Sequence, residues 1–186
     1  MDFTVSKIKI WSKSNTGSKR NSGFTLIELV ITIIVLGVLS ATAVPRFIDL
    51  KDDAKKETVE NFHGTLRSTV RLLHMKSQID NILGDDATIA TDYGDYQFSR
   101  GYPKTRSEAT TPTAYFIETF LELGVPVDVI QNNTTRTATY AEITVYEDNI
   151  YSRIGYGTGD LLNDTCYAEY QHTIETQVFS LKTDGC

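Results

Sequence analysis

The sequence predicts an α+β chain: one long N-terminal α-helix, apolar all round in its first half and amphipathic in its second, packed by that second half on an antiparallel β-sheet. Three observations carry this. Residues 24–44 hold a single ionisable side chain, Glu28. Apolar residues then recur at steps of three and four from Phe47 to Leu73, the period of a helix. From Gly84 onward, turn-forming residues separate short β-rich runs, the pattern of hairpins. With 186 residues, 40 % of them apolar, the chain is long enough for a real core. A net charge of −6 argues against broad nucleic-acid binding, which needs a basic face. Eight Phe and ten Tyr argue against wholesale disorder. Two Cys exclude a disulfide-dense scaffold and any four-thiolate metal centre.

Residues 1–23 form the first segment. Lys7, Lys9, Lys13, Lys19 and Arg20 stand there against Asp2, so the segment carries +4 and the remainder −10. Such opposed parts address different surroundings. The segment is rich in Ser, Asn and Gly, and on composition alone it reads as a disordered tail.

Residues 24–44 are the second segment. Twenty-one residues at the helical rise span roughly 31 Å, the thickness of a bilayer core. A buried helix of a soluble protein is the alternative, but soluble domains rarely bury a helix that is apolar on every face. The order is not that of a secretory signal, because Gly23 stands before the apolar stretch rather than a cleavage site after it. The basic tail fits retention on the cytoplasmic side, with the C-terminal bulk exported.

Residues 45–83 continue the helix as its amphipathic half. Phe47, Leu50, Ala54, Thr58, Phe62, Leu66, Thr69 and Leu73 form the predicted core side. Lys51, Asp52, Asp53, Lys55, Lys56, Glu57 and Glu60 form a solvated side with opposite charges at helical spacing. Pro45 lacks a donor N–H and crowds the preceding turn, so a kink is predicted there. The helix is expected to run for roughly 50 residues and to stop between Asn81 and Gly84.

Residues 84–186 are the head. A weak strand is predicted over 93–98, and a short helix over 113–123 capped by Gly124. A hairpin is predicted around Glu147-Asp148-Asn149, with further strands over 166–170 and 174–181. An antiparallel sheet on the amphipathic helix follows from these elements.

The junction between the first two segments reads Lys19-Arg20-Asn21-Ser22-Gly23-Phe24-Thr25-Leu26-Ile27-Glu28. Gly, Phe and Glu in this register, at the head of a membrane-length apolar run, resemble the bacterial type IV pilins and pilin-like proteins. Pro45 also matches the family's helix-bending proline, and the close resemblance covers about 50 residues. It implies the type IV pilin fold, cleavage between Gly23 and Phe24 by a membrane-embedded prepilin peptidase, and N-methylation of Phe24. The chain is then the substrate of that chemistry, not an enzyme, with no catalytic residues, no metal and no cofactor. Glycine suits the cleavage position because it lets an active site approach the backbone closely. Ser22 departs from the Lys or Arg that many relatives carry before the glycine, and the leader is longer than in the commonest subclass.

A carboxylate within a membrane span is costly and marks a partnered group. Under the resemblance, Glu28 pairs with the free Phe24 amine of a neighbouring subunit and sets its axial register. The alternative is a glutamate snorkelling to the interface from a helix start. Gly37 and Ser40 either allow close helix packing or are ordinary residues of a membrane helix. Cys166 and Cys186, in an exported segment that meets an oxidising compartment, are expected to form a disulfide. Pilins close a C-terminal region in this way.

The resemblance also implies partners and a place. The partners are other pilin subunits, the prepilin peptidase, an assembly ATPase, a platform protein, a secretin, the membrane, and a host or abiotic surface. The place is the inner membrane before assembly and an extracellular pilus afterwards. AVPRFIDLKDDAKKETVENFHG, Gly101-Tyr102-Pro103 and Cys166-Tyr167 are similar to the mannose-sensitive haemagglutinin pilin group, whose members serve attachment and biofilm formation. Two other functions remain open: a type II secretion pseudopilin forming a periplasmic piston, and a membrane-anchored ligand-binding protein. Asp85, Asp86, Asp92 and Asp95 do not reproduce an EF-hand spacing. His63, His74 and His172 have no metal-ligand spacing, and no nucleophile, phosphate-loop or zinc motif is present.

Overall fold

The computed structural model describes residues 24–186, so the leader and Gly23 lie outside the described residues. These residues fall into two units, the first ending at Val44 and the second running Pro45–Cys186. Helix α1, Leu26–Ile79, is 54 residues long and its helical backbone continues through residue 45. In the first unit every large apolar side chain from Leu26 to Leu39 is exposed. The hydroxyls of Thr32 and Thr42 donate back to the carbonyls of Leu29 and Leu39, at 2.7 and 3.0 Å. These two hydroxyls are thus satisfied by the helix's own backbone.

In the second unit α1 buries Val59, Leu66, Val70 and Ser77, with Phe62 and Leu73 half-buried between them. This stripe corrects the predicted one in part. Phe62, Leu66 and Leu73 belong to it, whereas Phe47, Leu50 and Ala54 are exposed. The physical reason is coverage: the sheet reaches the helix only from about Lys55, whose ammonium lies 5.5 Å from the centre of the Tyr156 ring. The helix ends at Ile79, just before the predicted range. Asn81 adopts φ 55°, its N–H donates to Gln78 O, and Ile82 N–H donates to Ser77 O, the paired bonds of a Schellman cap.

Three strands, β1 (Ala87–Thr91), β2 (Gly94–Ser99) and β3 (Tyr102–Pro103), make an antiparallel sheet where the sequence predicts one strand over 93–98. Strands β4 (Arg106–Ser107) and β5 (Ala114–Tyr115) pair separately. That pairing shortens the predicted helix over 113–123 to α2, Phe116–Phe120, because Ala114 and Tyr115 are drawn into extended backbone. The helix is closed by extended Leu121, and Gly124 turns the chain at φ +88° three residues later. A six-stranded antiparallel meander follows: β6 (Asp128–Gln131), β7 (Arg136–Tyr140), β8 (Ile143–Glu147), β9 (Tyr151–Gly155), β10 (Tyr167–His172) and β11 (Gln177–Lys182).

Register fixes the two faces of the meander. Ala138, Val145, Ile154 and Ala168 stand opposite one another in a single row, and all four are buried. Val145, Ile154 and Ala168 join Leu66 and Val70 of α1, Phe98, Phe116 and Tyr170 in one apolar core. The opposite face carries the row Tyr146, Arg153 and Glu169. There Arg153 Nε donates to Glu169 at 2.6 Å, and the guanidinium lies 4.3 Å from the centre of the Tyr151 ring. Gly155 separates the strands' demands: a Cβ there would lie 2.2 Å from Cys166 O and 2.6 Å from Tyr167 Cα. Only glycine allows β9 and β10 to approach so closely at that point.

Candidate functional site

The start of α1 is the first element of the site. Phe24 is exposed just before the helix. Thr25 occupies the cap, and Glu28 is the third helical residue. Glu28 N–H donates to Thr25 Oγ1 at 3.3 Å, while Thr25 N–H donates to Glu28 Oε2 at 3.0 Å. These reciprocal bonds form a capping box, which satisfies two orphan N–H groups. Thr25 Oγ1 also donates to Glu28 Oε2 at 2.9 Å. The carboxylate therefore has a local structural task in the isolated chain. Behind it, Leu26–Ala43 is a helical stretch long and apolar enough to cross a membrane, with none of it buried.

The C-terminal region is the second element. Cys166 and Cys186, 20 residues apart, are joined as a disulfide with their Cα atoms 4.8 Å apart. Between them β10 and β11 pair in register, Tyr167 opposite Lys182 through His172 opposite Gln177. Gly185 N–H donates to Thr165 O at 3.1 Å, so the backbone closes beside the covalent link.

Residues 18–44 match the prokaryotic N-terminal methylation motif. The chain is also 42 % identical over 59 residues to the major component of a narrow type IV pilus, PilA5, of Thermus thermophilus, which is 32 % of this chain and 51 % of that protein. The N-terminal region is thus similar to that of a type IV pilus subunit. Over 37 residues the chain is 49 % identical to the type IV major pilin protein PilA of Myxococcus xanthus, covering 20 % of this chain and 17 % of the relative. Over 37 residues it is 43 % identical to the type II secretion system core protein G of Pseudomonas aeruginosa, covering 20 % and 26 %. The chain spans about half the length, or less, of these curated relatives. No solved structure matches it.

Of the residues singled out from the sequence, Phe24 and Glu28 lie one helical turn apart at the exposed start of α1, and Pro45 lies inside α1. Gly23 lies outside the described residues. The capping role of Thr25 is missed by the sequence reading, although Thr25-x-x-Glu28 before an apolar run is its signal. Asp85 and Asp86, weighed as cation ligands, are engaged instead by Ser99 with Arg100 and by Lys104. Asp85, Asp86, Ser99 and Lys104 border a cleft of about 710 Å³ with Arg106, Ile174 and His172. His172 is 4 % exposed, and burial lowers its pKa.

Glu147 is a buried carboxyl group the sequence gives no reason to single out. It accepts hydrogen bonds from Ile117 N–H and Ser152 Oγ, both at 2.7 Å, and so serves the start of α2. Burial, the largest influence, pushes its pKa up to about 8. In an unfolded chain a glutamate titrates near 4.3. Between those values the folded head holds a proton that the unfolded chain has lost. Stability from this group is therefore full below about pH 4 and declines as pH rises toward 8, by on the order of 1 kcal/mol per pH unit. Melting temperatures measured across that window are expected to fall with rising pH in the wild type. In Glu147→Gln, which keeps an acceptor for Ile117, that part of the slope disappears.

Proposed function

We propose that the chain is a prepilin, the structural subunit of a type IV pilus. It is cleaved between Gly23 and Phe24 by a prepilin peptidase, methylated on the new Phe24 amine, and held in the inner membrane by residues 24–44. An assembly ATPase, a platform protein and a secretin then polymerise it into an extracellular filament for attachment. The observation that carries this reading is the methylation motif overlapping a helical stretch, Leu26–Leu39, whose large apolar side chains are all exposed. An isolated chain leaves that surface in water at large cost, and either lipid or neighbouring helices remove it. Pro45 gives the helix a residue without a donor N–H, where it yields most readily on entry into the filament. The subgroup reading, mannose-sensitive haemagglutinin type, rests on the head motifs around Gly101-Tyr102-Pro103 and Cys166-Tyr167.

The likeness to a type II secretion core protein favours one second reading, a pseudopilin of a periplasmic piston. Antibody labelling of cells separates the two, since long labelled surface fibres belong only to a pilus. The central claim is tested by mass spectrometry of the mature protein. The expected N-terminal residue is methylated Phe24, and Gly23→Arg is expected to leave the leader attached and the filament absent. A mature protein that retains Met1 overturns the reading.

A further inference from the structure

Two exposed apolar surfaces of the head carry opposite charge, and nothing among the described residues covers either. The first lies on the last turns of α1, where Leu72, Met75 and Ile79 follow at helical steps, Ile79 being 83 % exposed. Residues 67–79 include Arg67, Arg71 and Lys76 and no acidic residue. Lys76 reaches Asp80 at 3.4 Å, whereas Arg71 has no acidic partner among the described residues. The second surface is the approach to β6 and the strand itself, where Val125 and Val127 are 90 % and 79 % exposed. Residues 121–135 include Glu122 and Asp128 and no basic residue. Strand β6 ends its sheet, so one side of its backbone is unpaired. Natural edge strands of this kind are normally blunted by charge, commonly lysine, or covered by another element.

The two surfaces are separate. Arg100, beyond one end of β2, is bonded to Gly84 just past the helix, whereas Tyr93, before its other end, is bonded to Glu122. Strand β2 has six residues, about 20 Å at the rise of a strand. One copy therefore presents a basic-rimmed ridge and an acidic-rimmed edge at places that do not meet within the same chain. A contact of ridge with edge between two copies is heterologous, and such contacts propagate into open helical arrays unless the rotation closes a ring.

We infer that the Leu72–Met75–Ile79 ridge of one subunit docks on the Val125–Val127 edge of the next, with Arg71 facing Asp128. The occupant is a second copy of this chain. The inference rests on the filament reading above and names the head contact within it. Charge complementarity selects the pairing and its register, while the apolar residues supply the buried centre.

The test uses the full chain expressed in cells that assemble it. Met75→Cys combined with Val127→Cys is expected to give, from sheared filaments under oxidation, a ladder of covalent multimers, with neither single variant giving a ladder. Arg71→Glu is expected to reduce filament yield about tenfold through like-charge apposition. Asp128→Arg in the same chain restores it. Fibres from the doubly substituted protein that contain monomer only, or a single hybrid band with another protein, overturn the inference. So does an unchanged yield from Arg71→Glu. Absence of fibres from the wild type instead overturns the filament reading itself, so the two failures are distinguishable.

Discussion

Glu28→Gln is expected to leave cleavage after Gly23 and methylation of Phe24 in place while abolishing most filament. The choice of glutamine matters. The capping box at the head of α1 uses Glu28 as an acceptor for Thr25 N–H at 3.0 Å, and glutamine fills the same position in such boxes. Glu28→Ala removes both the cap and the charge, so a loss of assembly from it has two explanations. Glu28→Gln removes the charge alone. On the proposed mechanism, the carboxylate of one subunit meets the cationic Phe24 amine of the next among apolar helices that exclude water. Two unit charges 4 Å apart at an effective dielectric of about 20 alter the affinity of one subunit for the next by roughly a thousandfold. Neither residue has to give up its cap in full, because a carboxylate has two oxygens and only Oε2 is used by Thr25. The measurement is the ratio of subunit in sheared filaments to subunit in the membrane fraction, with the mature N-terminus checked by mass spectrometry. Wild-type filament yield from Glu28→Gln would end the register mechanism and leave Glu28 as a cap.

Those parts of the chain whose residues repeat a period, or punctuate one, are legible in the sequence. Glu28, the single ionisable side chain of residues 24–44, marks the start of α1, and Asn81 its end through a left-handed turn that asparagine tolerates well. The hairpin at Glu147-Asp148-Asn149 is equally plain, because Ile143 and Val145 before these polar residues and Ile150, Tyr151 and Ile154 after them form two β-rich runs. Strands β6 and β7 are not legible. In Arg136–Tyr140 only Ala138 is buried, and β6 is exposed throughout, so neither carries the alternation that one buried face imposes. The misplaced start of the core stripe has a related cause. Phe47 and Leu50 continue the helical period, but periodicity reports which face is apolar and not which neighbour covers it. Glu147 is illegible for another reason. Its partners, Ile117 N–H and Ser152, come from two elements brought together only by the fold.

Replacing both cysteines, as Cys166→Ser with Cys186→Ser, is expected to cost the head about 3 kcal/mol, the loop-closure contribution of a loop of this length. For a domain of roughly 140 residues this lowers the melting temperature by about 10 °C. The loss should not fall evenly. Strand β11 is an edge strand, half to fully exposed along its length, and pairs only with β10. Its main packing is Phe179, whose ring lies 5.2 Å from that of Tyr170 and 5.9 Å from the Arg67 guanidinium. Without the covalent link, the terminus is tied to residue 165 by the Gly185 N–H bond alone among the backbone bonds that close this loop. Amide exchange is therefore expected to accelerate first over Gln177–Lys182, while β8 and β9, paired on both sides, keep their protection. A thermal melt of the full chain in detergent, with and without reductant, supplies the control. Reductant should lower the wild type to the level of the double serine variant and leave that variant unmoved. The same substitution leaves Thr25, Glu28 and the apolar helix untouched, so membrane insertion and cleavage should proceed normally. A melting temperature equal to that of the wild type, with β11 exchange unchanged, would show that the β10–β11 pairing and the Phe179 contact hold the terminus without the disulfide.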